Sequence, residues 1–382
     1  RNVLTNVPNL RFPEFEGELE EHYLSDYLDF KNGLNPKPER FGKGIRFISV
    51  MDILNNAVIT NDCIRASVDV SEEELLSFCV ENGDILFQRS SETLEDVGRA
   101  NVYMDNKPAV FGGFVIRGKK KAEYDPLFFR YLLASPFARK KIIPMGAGAQ
   151  HFNIGQEGLN KVKLHFALLD EQKKIARLLS LLDERIAIQN KIIEDLKKLK
   201  SAISDRLFKN IKGDVITLSE ICDIVKGKQI NGEYLTESGE YYVMNGGTEP
   251  SGYYGDYNVD ANTISISEGG NSCGYVQFNT SPFWSGGHCY SIQNIADHVD
   301  NLYLYHYLKS NEEVIMRLRI GSGLPNIQKK DLTMFKIKVP TFEQQITIST
   351  FLSSLERKAD IEERILNVIL KQKLYLLQQM FI

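Results

Sequence analysis

Leu24-Ser25-Asp26-Tyr27-Leu28-Asp29-Phe30-Lys31-Asn32-Gly33 and Leu218-Ser219-Glu220-Ile221-Cys222-Asp223-Ile224-Val225-Lys226-Gly227 are one pattern written twice. Further along, Asn153-Ile154 returns as Asn326-Ile327, and a charged helix opening at Asp170-Glu171-Gln172 returns as Glu343-Gln344-Gln345. Each half therefore reads as a globular unit followed by a long helix. A duplicated unit implies two similar surfaces, a layout suited to a two-part target.

Between these markers the order also repeats. Gly83-Asp84 leads into a predicted strand at Ile85-Leu86-Phe87, answered by Asn262-Thr263-Ile264-Ser265-Ile266. Phe111-Gly112-Gly113-Phe114-Val115-Ile116 reads as a second strand, answered by Trp284-Ser285-Gly286-Gly287-His288-Cys289-Tyr290. Leu127–Leu133 reads as an amphipathic helix stopped at Ser135-Pro136, answered by Leu302–Leu308. Both units close on a Gly-x-Gly loop, Gly146-Ala147-Gly148 and Gly321-Ser322-Gly323. The offset between copies falls from 194 to 173, so about 21 residues are absent from loops of the second unit.

The helices match more closely. Leu179, Leu182, Ile186, Ile193, Leu196, Ile203 and Leu207 occupy an a/d seam, interrupted by Gln189 and Lys200. Adding 173 gives Leu352, Leu355, Ala359, Leu366, Ile369, Leu376 and Met380, interrupted by Glu362 and Lys373. The polar interruptions coincide as well as the apolar positions. Polar residues on such a seam cost stability and serve to set register, which favours two helices packed on each other.

A chain of 382 residues, 43% hydrophobic and 25% charged, has room for two or three domains. No apolar run reaches the roughly 20 residues that cross a bilayer. The start carries no signal-peptide pattern. The five cysteines are scattered and never spaced as C-x-x-C, which fits buried thiols in a reducing cytoplasm. The net charge of -4 is unevenly spread: residues 24–165 hold 19 Lys and Arg against 18 Asp and Glu, but residues 214–340 hold 9 against 15. Nucleic-acid binding by phosphate neutralisation alone calls for a basic excess, so any such role needs local patches or a partner's charge.

Signatures of catalysis are missing. There is no P-loop, and Gly146-Ala147-Gly148 does not open a helix after a strand as a dinucleotide fingerprint does. Ser281-Pro282-Phe283 lacks the acidic or amide residue and second proline of an adenine-methyltransferase motif. The six histidines show no metal spacing. The pattern is that of a recogniser.

Taken in order, these features resemble the specificity (S) subunit of type I restriction–modification enzymes over essentially the whole chain. The family-like stretches are Leu10-Arg11-Phe12-Pro13-Glu14-Phe15, Gly83-Asp84-Ile85-Leu86-Phe87, Asp170-Glu171-Gln172-Lys173-Lys174-Ile175 and Gly321-Ser322-Gly323-Leu324-Pro325-Asn326-Ile327. The resemblance implies an α+β fold, with two globular α/β target-recognition domains and two long helices packed as an antiparallel coiled coil, a pseudo-two-fold internal repeat. Residues 1–23 would be a lead-in, 24–168 and 214–340 the recognition domains, and 169–213 and 341–382 the helices. Double-stranded DNA and two modification subunits would be the partners, with two restriction subunits completing a nuclease. This chain would bind no cofactor. S-adenosylmethionine would belong to the modification subunits, which flip and methylate an adenine, and ATP with magnesium to the nuclease assembly. A cytoplasmic defence protein follows, with no membrane partner.

The resemblance carries no individual base-reading residue across, so candidates rest on side-chain chemistry. Arg suits guanine, and Asn or Gln suits adenine. That singles out Arg89, Arg99, Gln150, His151 and Asn153 in the first unit. Lys119-Lys120-Lys121 would hold phosphate, with a solvated charge run as the competing reading. In the second unit the candidates are Lys226, Lys228, Gln229, Asn245, Asn271 and His288. Tyr253, Tyr254 and Tyr257 crowd one segment, where strand packing competes with binding. The alternative function is a bivalent ligand-binding scaffold unrelated to DNA.

Overall fold

The computed structural model describes residues 6–321, 323 and 325–382. Ser322 and Leu324 of the second Gly-x-Gly segment, and Arg1, lie outside the described residues. Two compact units emerge, residues 1–190 with 365–382, and residues 191–364.

In the first unit Glu20–Tyr23 pairs antiparallel with Lys163–Phe166, inside the stretch expected to be a lead-in. The opening motif then makes one helical turn, Leu24–Tyr27, because the Asp26 carboxylate accepts the Tyr23 N–H at 2.8 Å and caps it. A four-stranded sheet follows in the order Leu28–Asn32, Val115–Lys120, Ile85–Gln88, Ala100–Val102. A three-stranded sheet places Phe41–Ile48 between Ser67–Val68 and Ala109–Phe111, the last of these parallel to it. Phe128 and Phe129 of the helix Pro126–Ala134 share a core with Phe87, Val102 and Ile116 of the sheet.

The second unit has the same plan. Asp214–Thr217 pairs with Lys336–Val339, and Glu220 caps the turn Leu218–Ile221 through the Thr217 N–H at 2.6 Å. Its four-stranded sheet runs Asp223–Lys226, Cys289–Gln293, Thr263–Ser267, Val276–Asn279. Its three-stranded sheet sets Tyr241–Met244 between Tyr253–Tyr254 and a parallel Trp284–Ser285. Tyr253 and Tyr254 are thus strand residues, half-buried, and Tyr254 meets the Trp284 ring edge-on at 5.2 Å. That is the packing reading.

One expectation needs correcting. Phe111–Ile116 is not a single strand. The chain leaves the small sheet at Phe111, turns through Gly112-Gly113-Phe114 and enters the large sheet at Val115. The glycines permit this because the Phe47 ring and the Asn35 amide occupy the places where their Cβ atoms would stand. Gly286-Gly287-His288 turns likewise between Trp284–Ser285 and Cys289–Gln293.

The long helices are Leu169–Asn210 and Phe342–Gln379, roughly 63 and 57 Å at about 1.5 Å per residue. Leu179, Gln189, Ile193, Leu352 and Ile369 are buried, and Leu182, Ile186, Leu196, Lys200, Ile203, Leu355, Ala359, Glu362, Leu366, Lys373 and Leu376 are half-buried, while most intervening positions are exposed. In the first unit Asp183 pairs with Lys373; in the second Lys197 pairs with Glu363 at 2.6 Å and Lys200 with Glu356. Rising numbers on one helix meet falling numbers on the other, so the packing is antiparallel. Leu10-Arg11-Phe12-Pro13-Glu14-Phe15 docks beside the helices: the Leu10 N–H donates to the Gln379 carbonyl at 3.0 Å, and Arg11 grips the buried Glu171 carboxylate through two 2.8 Å bonds.

All five cysteines are free, and burial pushes the Cys222 thiol up to about 12 and the Cys289 thiol up to about 11. Among the described residues no helix is long and apolar enough to cross a membrane.

Candidate nucleic-acid interface

One residue at the end of the third strand ties each unit's loops together. The Arg89 N–H donates to the Phe114 carbonyl at 2.9 Å, and the Arg89 carbonyl accepts the Ile154 N–H at 2.9 Å. In the second unit the Glu268 N–H donates to the His288 carbonyl at 2.9 Å, and its carbonyl accepts the Ile327 N–H at 2.8 Å. The Gly-Gly turn and the Asn-Ile segment therefore sit one backbone bond from a central strand. The Gly-x-Gly loop of the first unit closes as a small ring, Ala147 and Asn153 exchanging two bonds of 2.9 Å; in the second unit Ile320 and Asn326 exchange bonds of 2.8 and 3.0 Å.

The opening motif ends in glycine for the same reason in both units. A Cβ on Gly33 would lie 2.0 Å from the Gly112 carbonyl oxygen, and one on Gly227 would lie 2.2 Å from that of Gly286. The strand end and the turn approach backbone to backbone, which leaves room for glycine alone.

In the first unit this wiring gathers Arg89, Gln150, His151 and Asn153. The Arg89 guanidinium donates to the Gly113 carbonyl at 3.2 Å, and the Ser90 hydroxyl donates to Asn153 Oδ1. Gln150, His151 and Asn153 are exposed on the closing ring. Arg99 is held by Asp96 at 2.6 Å and lines a separate cavity of about 370 Å³ with Arg130 and Arg139. Burial brings the Arg139 guanidinium down to about 10, helped by the nearby Arg99 charge. Lys119 and Lys120 lie toward the far end of the strand that begins at Val115, roughly 15 Å away at about 3.3 Å per residue. Lys119 pairs with Glu81 at 2.7 Å, and Lys120 donates to the Tyr124 carbonyl at 3.2 Å.

In the second unit Lys226 and His288 meet at Glu268, while Gln229 and Asn245 lie against the Gly287-His288 turn. Lys226 pairs with its Oε1 at 2.7 Å, and His288 Nδ1 stands 3.7 Å from its Oε2. Asn245 Oδ1 accepts the His288 N–H at 3.1 Å. The Gln229 side chain fills the space beside Gly287. The Lys228 N–H donates to the Ser285 carbonyl at 2.8 Å, and its carbonyl accepts the Trp284 indole N–H at 2.9 Å, leaving the ammonium exposed. Asn271 is exposed on the loop after Glu268.

Three residues of these surfaces escape side-chain reasoning. Glu268 is a carboxylate, which chemistry alone does not nominate for DNA, yet it takes the place of Arg89. Tyr290 stands behind it, its hydroxyl 2.9 Å from Glu268 Oε1 and 3.1 Å from the Ile327 carbonyl. Phe114 is exposed at the tip of the Gly-Gly turn. The signal that could have found Glu268 and Phe114 is the repeat itself, which aligns Gln88-Arg89 with Ser267-Glu268 and Phe114 with His288. Among the described residues no cluster of His, Cys, Asp and Glu could hold a metal ion.

The family model described as "Type I restriction modification DNA specificity domain" matches residues 17–198 and again 210–371. Each match takes in one globular unit and most of its following helix. The chain is similar to the type I restriction enzyme MjaVIII specificity subunit of Methanocaldococcus jannaschii, 23% identical with 78% of this chain and 77% of that protein covered. It is also similar to the EcoKI specificity subunit of Escherichia coli K12, 23% identical with 60% and 50% covered. In fold it is similar to the crystal structure of the S subunit of a type I restriction–modification system from M. genitalium, with a TM-score of 0.67, 20% identity, and 98% and 99% of the two chains covered. The chain belongs to the type I restriction–modification DNA specificity family, whose members are the non-catalytic subunits that confer DNA sequence recognition.

Proposed function

We propose that residues 24–168 and 214–340 are two target-recognition domains, each reading one half of an interrupted double-stranded DNA target in the cytoplasm. The observation that carries this reading is the constancy of the backbone wiring around Arg89 and Glu268 while the side chains presented there differ. A shared frame with unlike side chains suits two half-sites of unlike sequence. The reading faces are Arg89, Gln150, His151 and Asn153 in one unit, and Lys226, Lys228, Gln229, Asn245, Asn271 and His288 in the other. Arg99, Lys119 and Lys120 lie apart from these loops and suit phosphate contact, which positions a protein without specifying sequence.

The helices, residues 169–213 and 341–382, set the gap between half-sites and dock two adenine-methyltransferase subunits carrying S-adenosylmethionine. Restriction subunits add ATP-dependent cleavage. The acidic balance of residues 214–340 supports this division of labour, because the partners then supply much of the phosphate neutralisation. Linking two modest half-site contacts makes the second effectively intramolecular.

The test is duplex-DNA binding with and without methyltransferase subunits across a salt series. The expected result is tight binding only in the complex, falling steeply as salt rises. Salt-insensitive binding of a small ligand by the chain alone would favour a bivalent ligand scaffold instead.

A further inference from the structure

Phe114 and His288 occupy one position of the repeat, and both combine a pinned backbone with an exposed side chain. The Phe114 carbonyl accepts the Arg89 N–H at 2.9 Å, the Gly113 carbonyl accepts the Arg89 guanidinium at 3.2 Å, and the Val115 N–H closes the turn onto the Gly112 carbonyl at 2.8 Å. The His288 carbonyl accepts the Glu268 N–H at 2.9 Å, its N–H donates to Asn245 at 3.1 Å, and the Cys289 N–H closes onto Gly286 at 3.1 Å. Such a turn loses little entropy when its tip meets a ligand.

The side chains point outward. Phe114 is 68% exposed, the most exposed phenylalanine among the described residues, and the His288 side chain is 63% exposed. Leaving a phenylalanine in water forgoes roughly 2 kcal/mol of burial. Phe114 also walls an apolar cavity of about 550 Å³ with Leu34, Pro36, Phe41, Val50 and Met51, of which Met51 is 61% exposed. Ser90, whose hydroxyl donates to Asn153, lines the same cavity, and the Arg89 guanidinium bonds the Gly113 carbonyl next to Phe114.

From this geometry we infer that the tip position is a specificity-determining contact and that Phe114 reads the 5-methyl group of a thymine. In the major groove that methyl is the one apolar group by which a base pair announces itself, and an exposed aromatic ring is a fitting reader. The polar neighbours take the hydrogen-bonding edges beside it. His288 at the same position offers a ring nitrogen, so the second unit reads a hydrogen-bonding edge there instead. The inference rests on the recognition role proposed above.

The test uses the full chain assembled with its methyltransferase subunits and the duplex target mapped for the wild type. Each thymine of both half-sites is replaced singly by deoxyuridine, which removes only the methyl. One position in the half-site read by the first unit should lose about fourfold in affinity, the worth of one buried methyl. The complex carrying Phe114→Ala should bind less tightly and show no loss at that position. Phe114→Leu should keep the sensitivity, and unchanged recognition of the other half-site reports that the variants are folded. Sensitivity that survives Phe114→Ala, or a first half-site indifferent to every methyl, would overturn the inference while leaving two-part recognition intact. A wild-type complex with no two-part target would overturn the recognition role itself.

Discussion

Lys200 lies on the apolar seam of the first long helix, and its ammonium meets the Glu356 carboxylate of the second. The bond recurs with the helices exchanged, since Lys373 meets Asp183. The two lysines stand 173 residues apart, and so do the two carboxylates. Each acid also accepts a tyrosine hydroxyl, Tyr131 on Asp183 at 2.8 Å and Tyr305 on Glu356 at 3.2 Å. The two lysine interruptions of the seam are thus copies of one ion-paired arrangement, each holding one helix against the other.

Removing one partner should hurt more than removing both. Glu356→Leu leaves a half-buried ammonium without its counter-charge and should cost about 1–3 kcal/mol. Adding Lys200→Leu should recover most of that loss. Urea unfolding of the single and double variants checks this, and strictly additive losses would show that the pair is not coupled.

Gln172 and Gln345 should be the least replaceable residues of the helix openings. Gln172 accepts the Asp125 N–H at 3.0 Å and donates to the Ala167 carbonyl at 2.8 Å. Gln345 accepts the Asp300 N–H at 2.8 Å and donates to the Pro340 carbonyl at 2.9 Å. Both are buried, so leucine at either position strands backbone groups away from water and should cost roughly 2–4 kcal/mol. Thermal unfolding is the measurement, and a shift within error of wild type would contradict the assignment.

Acid should loosen the second unit through His306. Burial lowers its imidazole to about 4, although Glu356 and Asp300 pull it up; Lys200 pushes it further down. His306 Nε2 lies 2.9 Å from the Ser353 hydroxyl. With the folded value below the unfolded one of about 6.5, the unfolded chain binds the proton more readily between those limits. Its stabilising contribution is therefore complete above about pH 6.5 and is lost as pH falls toward 4, by up to about 3 kcal/mol. His306→Gln should flatten the stability profile in that window, and an unchanged slope would assign the acid sensitivity elsewhere.

Shortening the helices should move the half-sites relative to each other. Deleting about one heptad between Leu179 and Leu207, with the matching heptad of the second helix, should change the gap in the target or abolish activity, while each half-site keeps its sequence. An active variant with an unchanged gap would refute the role given to helix length.

The seam and the repeat were legible because helical and duplicated patterns are local and periodic. The seam residues from Leu179 to Leu376 are buried or half-buried as their spacing predicts. The Gly-Gly segment misled because apolar residues flank the glycines on both sides; only the sheet pairing shows that Phe111 and Val115 belong to different layers. The proposed recognition faces were legible only as candidates, since residue type names side chains and the fold decides which loops share a surface. Asn153 and His288 stood out by chemistry and lie on the expected loops. Lys119 and Lys120 stood out as a charge run suited to phosphate, and their strand carries them away from those loops. Glu268 and Phe114 could not be singled out by residue type, since their places are set by backbone bonds between segments far apart in sequence.

The central claim is that two independent units each read half of one target. Mapping methylated adenines genome-wide, in cells carrying the methyltransferase subunits with this chain or with a chain whose residues 24–165 come from another such unit, tests it most directly. The account predicts a two-part motif in which the exchange rewrites one half and leaves the other half and the gap unchanged. Rewriting of both halves, or methylation at an uninterrupted motif, would contradict it.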